Sequence, residues 1–159
     1  MPTPSDATIR AAIADEIETV APLARVYSWW VLGADEAQWL GYMRSPSDVD
    51  SNNRARVHGY LITRRSSNAE YQGNKQLARR THTYFIYGFH YYSTGTESSN
   101  SEATFTAEID AICDALDDKA TLASSLARSQ PISWEFDLKS VGGELVHIAR
   151  GTFTVQPCS

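Results

Sequence analysis

The chain has 159 residues, of which 42% are hydrophobic and 21% charged. That fits one globular domain large enough to bury its own core without staples, and it speaks against wholesale disorder. The net charge of −5 is unevenly spread: Arg44 to Arg80 holds eight basic and three acidic residues, +5, which leaves −10 for the rest. Such a division suits a protein complementary to copies of itself and leaves nucleic-acid binding as the lesser reading of the basic segment.

Ser5 and Asp6 are good helix N-caps, and Ile9, Ile13, Ile17 and Val20 then recur at helical spacing with Asp15, Glu16 and Glu18 off the stripe. This predicts a helix over 6–20, ended before Pro22. "LARVYSWWVLG" reads as a strand running to Gly33, "ADEAQWLGYM" as a short helix, and "SPSDVDSNN" as a loop by its turn-forming composition. "RARVHGYLITRR" predicts a strand over 54–65, followed by a polar turn region, "SSNAEYQGNKQ".

The next stretch, "RRTHTYFIYGFHYY" over 79–92, holds six aromatic residues in fourteen. Read as a strand over 77–92, it puts Thr83, Phe85, Tyr87, Phe89 and Tyr91 on one face, and His82, Tyr84, Ile86, Gly88, His90 and Tyr92 on the other. Neither face is built only for water. The two strands form a long antiparallel hairpin whose end, with Arg64, Arg65, Lys75, Arg79 and Arg80, is expected to project.

Phe105, Ile109, Ile112, Cys113 and Leu116 make a second helical stripe, predicting a helix over 101–117 capped by Ser99 or Ser101. "ISWEFDLKS" alternates as a half-buried strand, "VGGE" is a hairpin turn, and "LVHIARGTFTV" is the last strand. The fold class that follows is α+β: a mostly antiparallel sheet with a long projecting hairpin and two main helices on one face, in the order α-β-(α)-β-β-α-β-β within a single domain.

Little in the chain suggests catalysis. GxSxG, HExxH, GxxxxGK[ST] and GxGxxG are all absent. His82 and His90 are too far apart along a strand to share a metal, and His58, placed across the hairpin from His82, has no sequence-local carboxylate. Glu135 and Asp137 read as a solvated face, and His147 as a core or interface histidine. Cys113 and Cys158, without a CxxC or Cys/His cluster, read as reduced thiols of a cytoplasmically made protein. No enzymatic activity, metal or cofactor is expected. "MPTPSDATIR" is not expected to act as a secretory signal, and the longest apolar stretch, Trp29 to Leu32, is far short of the ~20 residues that span a bilayer.

"SEATFTAEIDAICDAL" (Ser101 to Leu116), "ELVHIARGTFTVQ" (Glu144 to Gln156), "TIRAAIADEIETV" (Thr8 to Val20) with Val26 and Tyr27, and "VHGYLITRR" (Val57 to Arg65) resemble segments of tail terminator proteins of long, non-contractile-tailed phages. The resemblance implies a homo-hexameric ring at the head-proximal end of the tail tube. Such a ring ends tube polymerisation and joins the tail to the head connector. It implies a virion protein assembled in the host cytoplasm, with the major tail tube protein and the connector or stopper protein as partners. DNA would pass through the lumen without sequence recognition. Neighbouring subunits or tube proteins are expected to cover part of the second aromatic face, and the basic hairpin end to dock on an acidic surface of the next subunit or of the tube; Arg64, Arg65, Lys75, Arg79, Arg80, Tyr84, Tyr91 and Tyr92 are the expected interface residues. Two alternatives stand beside this reading: another neck protein of the head-completion or connector type, and a monomeric small-molecule-binding domain in which Trp29, Trp30 and the short helix close that face within one chain.

Overall fold

In the computed structural model, which describes residues 4–31, 33–72, 77–95, 100–117, 122, 127–129 and 131–157, three helices pack about one open sheet. Helix α1 (Asp6–Val20) begins where predicted, with Ser5 Oγ accepting the Thr8 amide at 3.1 Å. Its stripe of Ile9, Ile13 and Ile17 is fully buried. Helix α3 (Ser101–Asp117) buries Phe105, Ile109, Ile112 and Leu116. Its first turn is capped by Asn100, whose Oδ1 accepts the Ala103 amide at 2.8 Å, rather than by the serines expected for that role. Ser101 Oγ instead ties the helix start to the Ser93 backbone and to His147.

The sheet is built on β3 (Ala55–Gln72), β4 (Leu77–Tyr91) and β7 (Glu144–Pro157), paired antiparallel in that order. A three-residue β1 (Arg25–Tyr27) lies parallel to β3. Two strands, β5 (Ala127–Ser129) and β6 (Ser133–Val141), pair with the far side of β7. β6 and β7 meet at Gly142 and Gly143, whose φ values of 56° and 82° are the left-handed conformation a two-residue hairpin turn demands.

Three expectations change. The strand read through "LARVYSWWVLG" stops at Tyr27, and Trp29 and Trp30 leave the sheet 57% and 50% exposed. "SPSDVDSNN" is not all loop: β2 (Arg44–Val49) pairs antiparallel with β3 before a turn at Asp50–Asn53. Two partly buried bonds outweigh the turn-forming composition there, Ser45 Oγ to the Leu23 carbonyl at 2.5 Å and Arg44 Nη1 to the Ala55 carbonyl at 3.1 Å. The polar region after Arg65 is also strand as far as Gln72, so the hairpin is longer than expected; its connection lies outside the described residues.

Helices α1 and α3 cover one face of the sheet, over Tyr60, Ile62, Tyr84, Ile86, Ala149, Phe153 and Val155. The fit is close at Gly88, where an added Cβ would lie 2.8 Å from the Tyr60 ring and 3.1 Å from Phe105. The other face is partly covered within the chain. Helix α2 (Glu36–Met43) sets Leu40 and Met43 against Val57, Leu61, Phe89 and Val146, and the Trp39 ring meets Phe89 edge-on at 4.6 Å. Glu36 fixes this helix to the β6–β7 turn by accepting the Gly142 amide at 2.7 Å. The aromatic alternation of β4 thus serves two cores, one beneath α1 and α3 and a smaller one beneath α2.

Candidate functional site

Two parts of the molecule exceed what the fold needs. The first is a buried polar cluster where β2, β3, β4 and α3 meet. His58 lies across β3–β4 from His90, not from His82, which faces Ser67. Its Nδ1 is 2.8 Å from Asp48 Oδ2, and its Nε2 is 2.9 and 3.1 Å from the two oxygens of Glu108. The Tyr60 hydroxyl donates to Glu108 at 2.5 Å. Arg56 donates to the Tyr91 hydroxyl at 3.1 Å and approaches Asp48 at 3.5 Å. The His90 ring lies 4.8 Å from His58 and stacks on Tyr91 and Phe105.

Burial alone would push the His58 pKa down, but Glu108 and then Asp48, by hydrogen bond and charge, hold it above the usual imidazole value. Burial first, then the His58 charge, push His90 down to about 4. Burial raises Glu108, but its bonds to His58 and Tyr60 more than offset this and leave it lowered. Burial and Glu108 raise the Tyr60 phenol well above its ordinary value.

Asp48, His58 and His90 offer ligand atoms within 4.8 Å of one another. Both His58 nitrogens, however, already face carboxylates, so the cluster closes on itself as an imidazolium held between two anions. Its chemistry is that of a buried ionic joint between strand and helix. The sequence did not reveal it because Asp48 and Glu108 lie 10 and 50 residues from His58. Glu108 sits on an amphipathic helix where an outward acid is ordinary.

The second part is the hairpin with the sheet face beside α2. The last β4–β7 rung is His82↔Val155, whereas β3–β4 rungs continue to Gln72↔Leu77. Five rungs, Asn68↔Thr81 to Gln72↔Leu77, therefore have no third strand among the described residues. At ~3.3 Å per residue the hairpin end stands roughly 15 Å beyond the sheet. The register slips at Arg65, a bulge that sets this guanidinium 5.7 Å from the Phe85 ring, with Arg150 5.0 Å from the same ring. Trp30 meets Tyr87 edge-on at 6.1 Å, and Trp29 meets Tyr27 at 5.7 Å. Beyond α2 the face is thus an open aromatic surface edged by two arginines.

The residues expected at an interface fall in different places. Tyr84 is fully buried beneath α1, its hydroxyl donating to Asp6 at 3.0 Å, and so offers nothing to a neighbour. Tyr91 is half-buried, between Arg56 and His90. Tyr92 is 40% exposed beside His147. Arg65 and Arg80 are exposed, and no carboxylate partner meets either among the described residues. Arg64 reaches Asp6 at 3.6 Å. Lys75 and the Arg79 side chain lie outside the described residues. Much of the basic segment is neutralised within the chain: Arg44 pairs with Glu144, Arg54 with Asp50 and Arg56 with Asp48. All of these except Asp48, with Tyr91 and Tyr92, border a shallow cleft. The strand carboxylates are paired too, Glu135 with Arg150 and Asp137 with Lys139.

No family model matches this chain. No curated protein matches it either. Among solved structures, one similar chain belongs to a particle described as the virion of a native gene transfer agent. It covers 94% of this chain and 95% of its own length, at 14% identity and a TM-score of 0.46. At that score the likeness carries no inference about this chain, whose function rests on its own residues. Among the described residues, no helix is long and apolar enough to cross a membrane.

Proposed function

We propose that this protein is a non-catalytic structural component of a phage virion, acting as a homo-hexameric ring at the head-proximal end of the tail tube. There it would end tube polymerisation and join the tail to the head connector. The observation that carries this reading is the hairpin end projecting past the sheet, with exposed Arg65 and Arg80 at its base; farther back along the same strands Trp29 and Trp30 lie open against Tyr27 and Tyr87. A projecting two-stranded ribbon has no core of its own and is stable in use when packed on something else. Exposed tryptophan and arginine are residue types that anchor protein interfaces. The similarity of four segments to tail terminator proteins supplies the setting, the stoichiometry and the partners: the tube protein on one side and the connector or stopper on the other.

Arg65, Arg80, Tyr92, Trp29 and Trp30 are the contact residues of this reading; Lys75 and Arg79, whose side chains lie outside the described residues, are proposed with them. Deleting the gene in the phage or prophage that encodes it, and imaging the lysate by electron microscopy, tests the assignment. Unjoined heads with overlong tail tubes are expected. Normal virions overturn it.

A second reading draws on a specific observation: α2 does close part of the second face within the chain, as a monomeric binding domain requires. Against it, the arginine-lined cleft is neutralised by its own carboxylates. A ligand-induced rise in melting temperature on screening small apolar and anionic molecules, together with a monomer at all concentrations, would favour that reading.

A further inference from the structure

The open sheet has two free margins, at opposite ends and unlike each other. At one end, β3 pairs with β2 only through Ala55–Val57 and with β1 only through Gly59–Leu61. From Ile62 onward its outer margin has no strand beside it among the described residues, and this stretch carries Arg64 and Arg65. At the other end, β6 pairs with β7 along one margin, rung by rung from Ser133↔Thr152 to Val141↔Glu144, and with no described strand along the other. β6 contains neither a proline nor a bulge, two of the usual guards on an exposed edge. Phe136 and Leu138, on the α3 side of β6, are 54% and 45% exposed. Glu135 and Asp137 stand on the opposite side, with Arg150 and Ile148 as their β7 neighbours.

We propose that β6 of one copy pairs with the free β3 margin, Ile62 to Asn68, of the next copy, so that the sheet continues from subunit to subunit. This rests on the ring reading above and names the contact that would build it. Three observations support it. The strands β3, β4, β7 and β6 alternate in direction, four in a row. A rotation about an axis along the strands keeps those directions, so β6 of one copy meets β3 of the next antiparallel, the stronger form of pairing. The contact is head-to-tail, the kind that closes into a ring. Charge is complementary on the matching face: Arg65 lies over Phe85, on the same sheet face as Glu135 and Asp137, whose carboxylates pair with Arg150 and Lys139 of their own chain yet stay exposed enough to meet a further cation. With no carboxylate partner among the described residues, Arg65 is available to those of a neighbour. On the α3 face, Phe136 and Leu138 would be covered by the Arg64 stem and the first residues of the margin.

The test uses the full chain carrying Cys158→Ser. Ser66→Cys is placed on the β3 margin, Asp137→Cys on β6, and a short bis-maleimide joins thiols that come together. The double variant should give a ladder of cross-linked multimers ending at the ring. A mixture of the two single variants should stop at dimers, and each single variant alone should give none. In parallel, Arg65→Glu and Asp137→Lys should each weaken assembly at least about tenfold by mass photometry, and the two together should restore it. Rings visible by electron microscopy without cross-links, and without rescue by the charge swap, overturn the edge pairing and leave the ring standing. Monomers alone, with and without tube protein, overturn both.

Discussion

The His58–His90 pair should give the protein a stability maximum near pH 6.5, and His90 sets its acid side. The folded pKa of His90 is pushed to about 4 against an ordinary value of 6.5. A lowered histidine contributes stability above its unfolded pKa and loses it as pH falls, because only the unfolded chain then takes up the proton. From these two values the loss is about 2 kcal/mol by pH 5 and about 3 kcal/mol by pH 4. His58 runs the other way. Its folded pKa is raised, so its contribution is complete below about 6.5 and fades as pH rises through the folded value. The charged groups acting on the pair are Asp48 from β2, Arg56 from β3 and Glu108 from α3. Glu108, itself lowered, adds a further loss only below its ordinary carboxyl range. Urea unfolding followed by tryptophan fluorescence from pH 4 to 8 measures this. His90→Gln will lower stability throughout by lost packing, so the comparison is of slopes. The wild-type decline between pH 6.5 and 5 should flatten in the variant by somewhat less than about 2 kcal/mol, since a few tenths are already lost at pH 6.5. Parallel profiles would refute the assignment of that decline to His90.

Two further outcomes follow from the packing. Glu108→Ala leaves the His58 imidazolium and the Tyr60 hydroxyl without their shared partner, and should cost about 3–5 kcal/mol in urea unfolding, with Glu108→Gln costing less. Gly88→Ala drives a methyl into the Tyr60 and Phe105 rings and should cost about 1–3 kcal/mol, read as a lowered melting temperature with the fold retained.

Periodicity carried much of the fold into view. Ile9, Ile13 and Ile17 mark α1 and Phe105, Ile109, Ile112 and Leu116 mark α3, because each stripe has one face to bury and charges elsewhere. The alternation from His82 to Tyr91 correctly divides β4 between two faces. What stayed hidden depends on pairing between distant segments. Ser45 to Val49 is a strand only because β3 lies beside it, so its Ser, Pro and Asp composition reads as loop. Trp29 and Trp30 look like strand residues by propensity, yet no neighbour extends β1 past Tyr27. The His58 cluster is assembled from three elements, and none of its members stands out locally. The cover provided by α2 was open as an alternative, since Leu40 and Met43 are too few to show which face they meet.

The position of β7 has a consequence for how the chain matures. This strand is the last described element, yet it lies inside the sheet, between β4 on one side and β5 and β6 on the other. β4 is complete at Tyr91, and β7 begins only at Glu144. During synthesis the aromatic hairpin must therefore wait, with one long margin unpaired, until the closing strand emerges. High-separation pairings of this kind fold slowly and leave apolar edges exposed meanwhile. Newly made chains should accordingly depend on holding chaperones, and truncation within 144–157 should send the protein to aggregates rather than to a shortened fold.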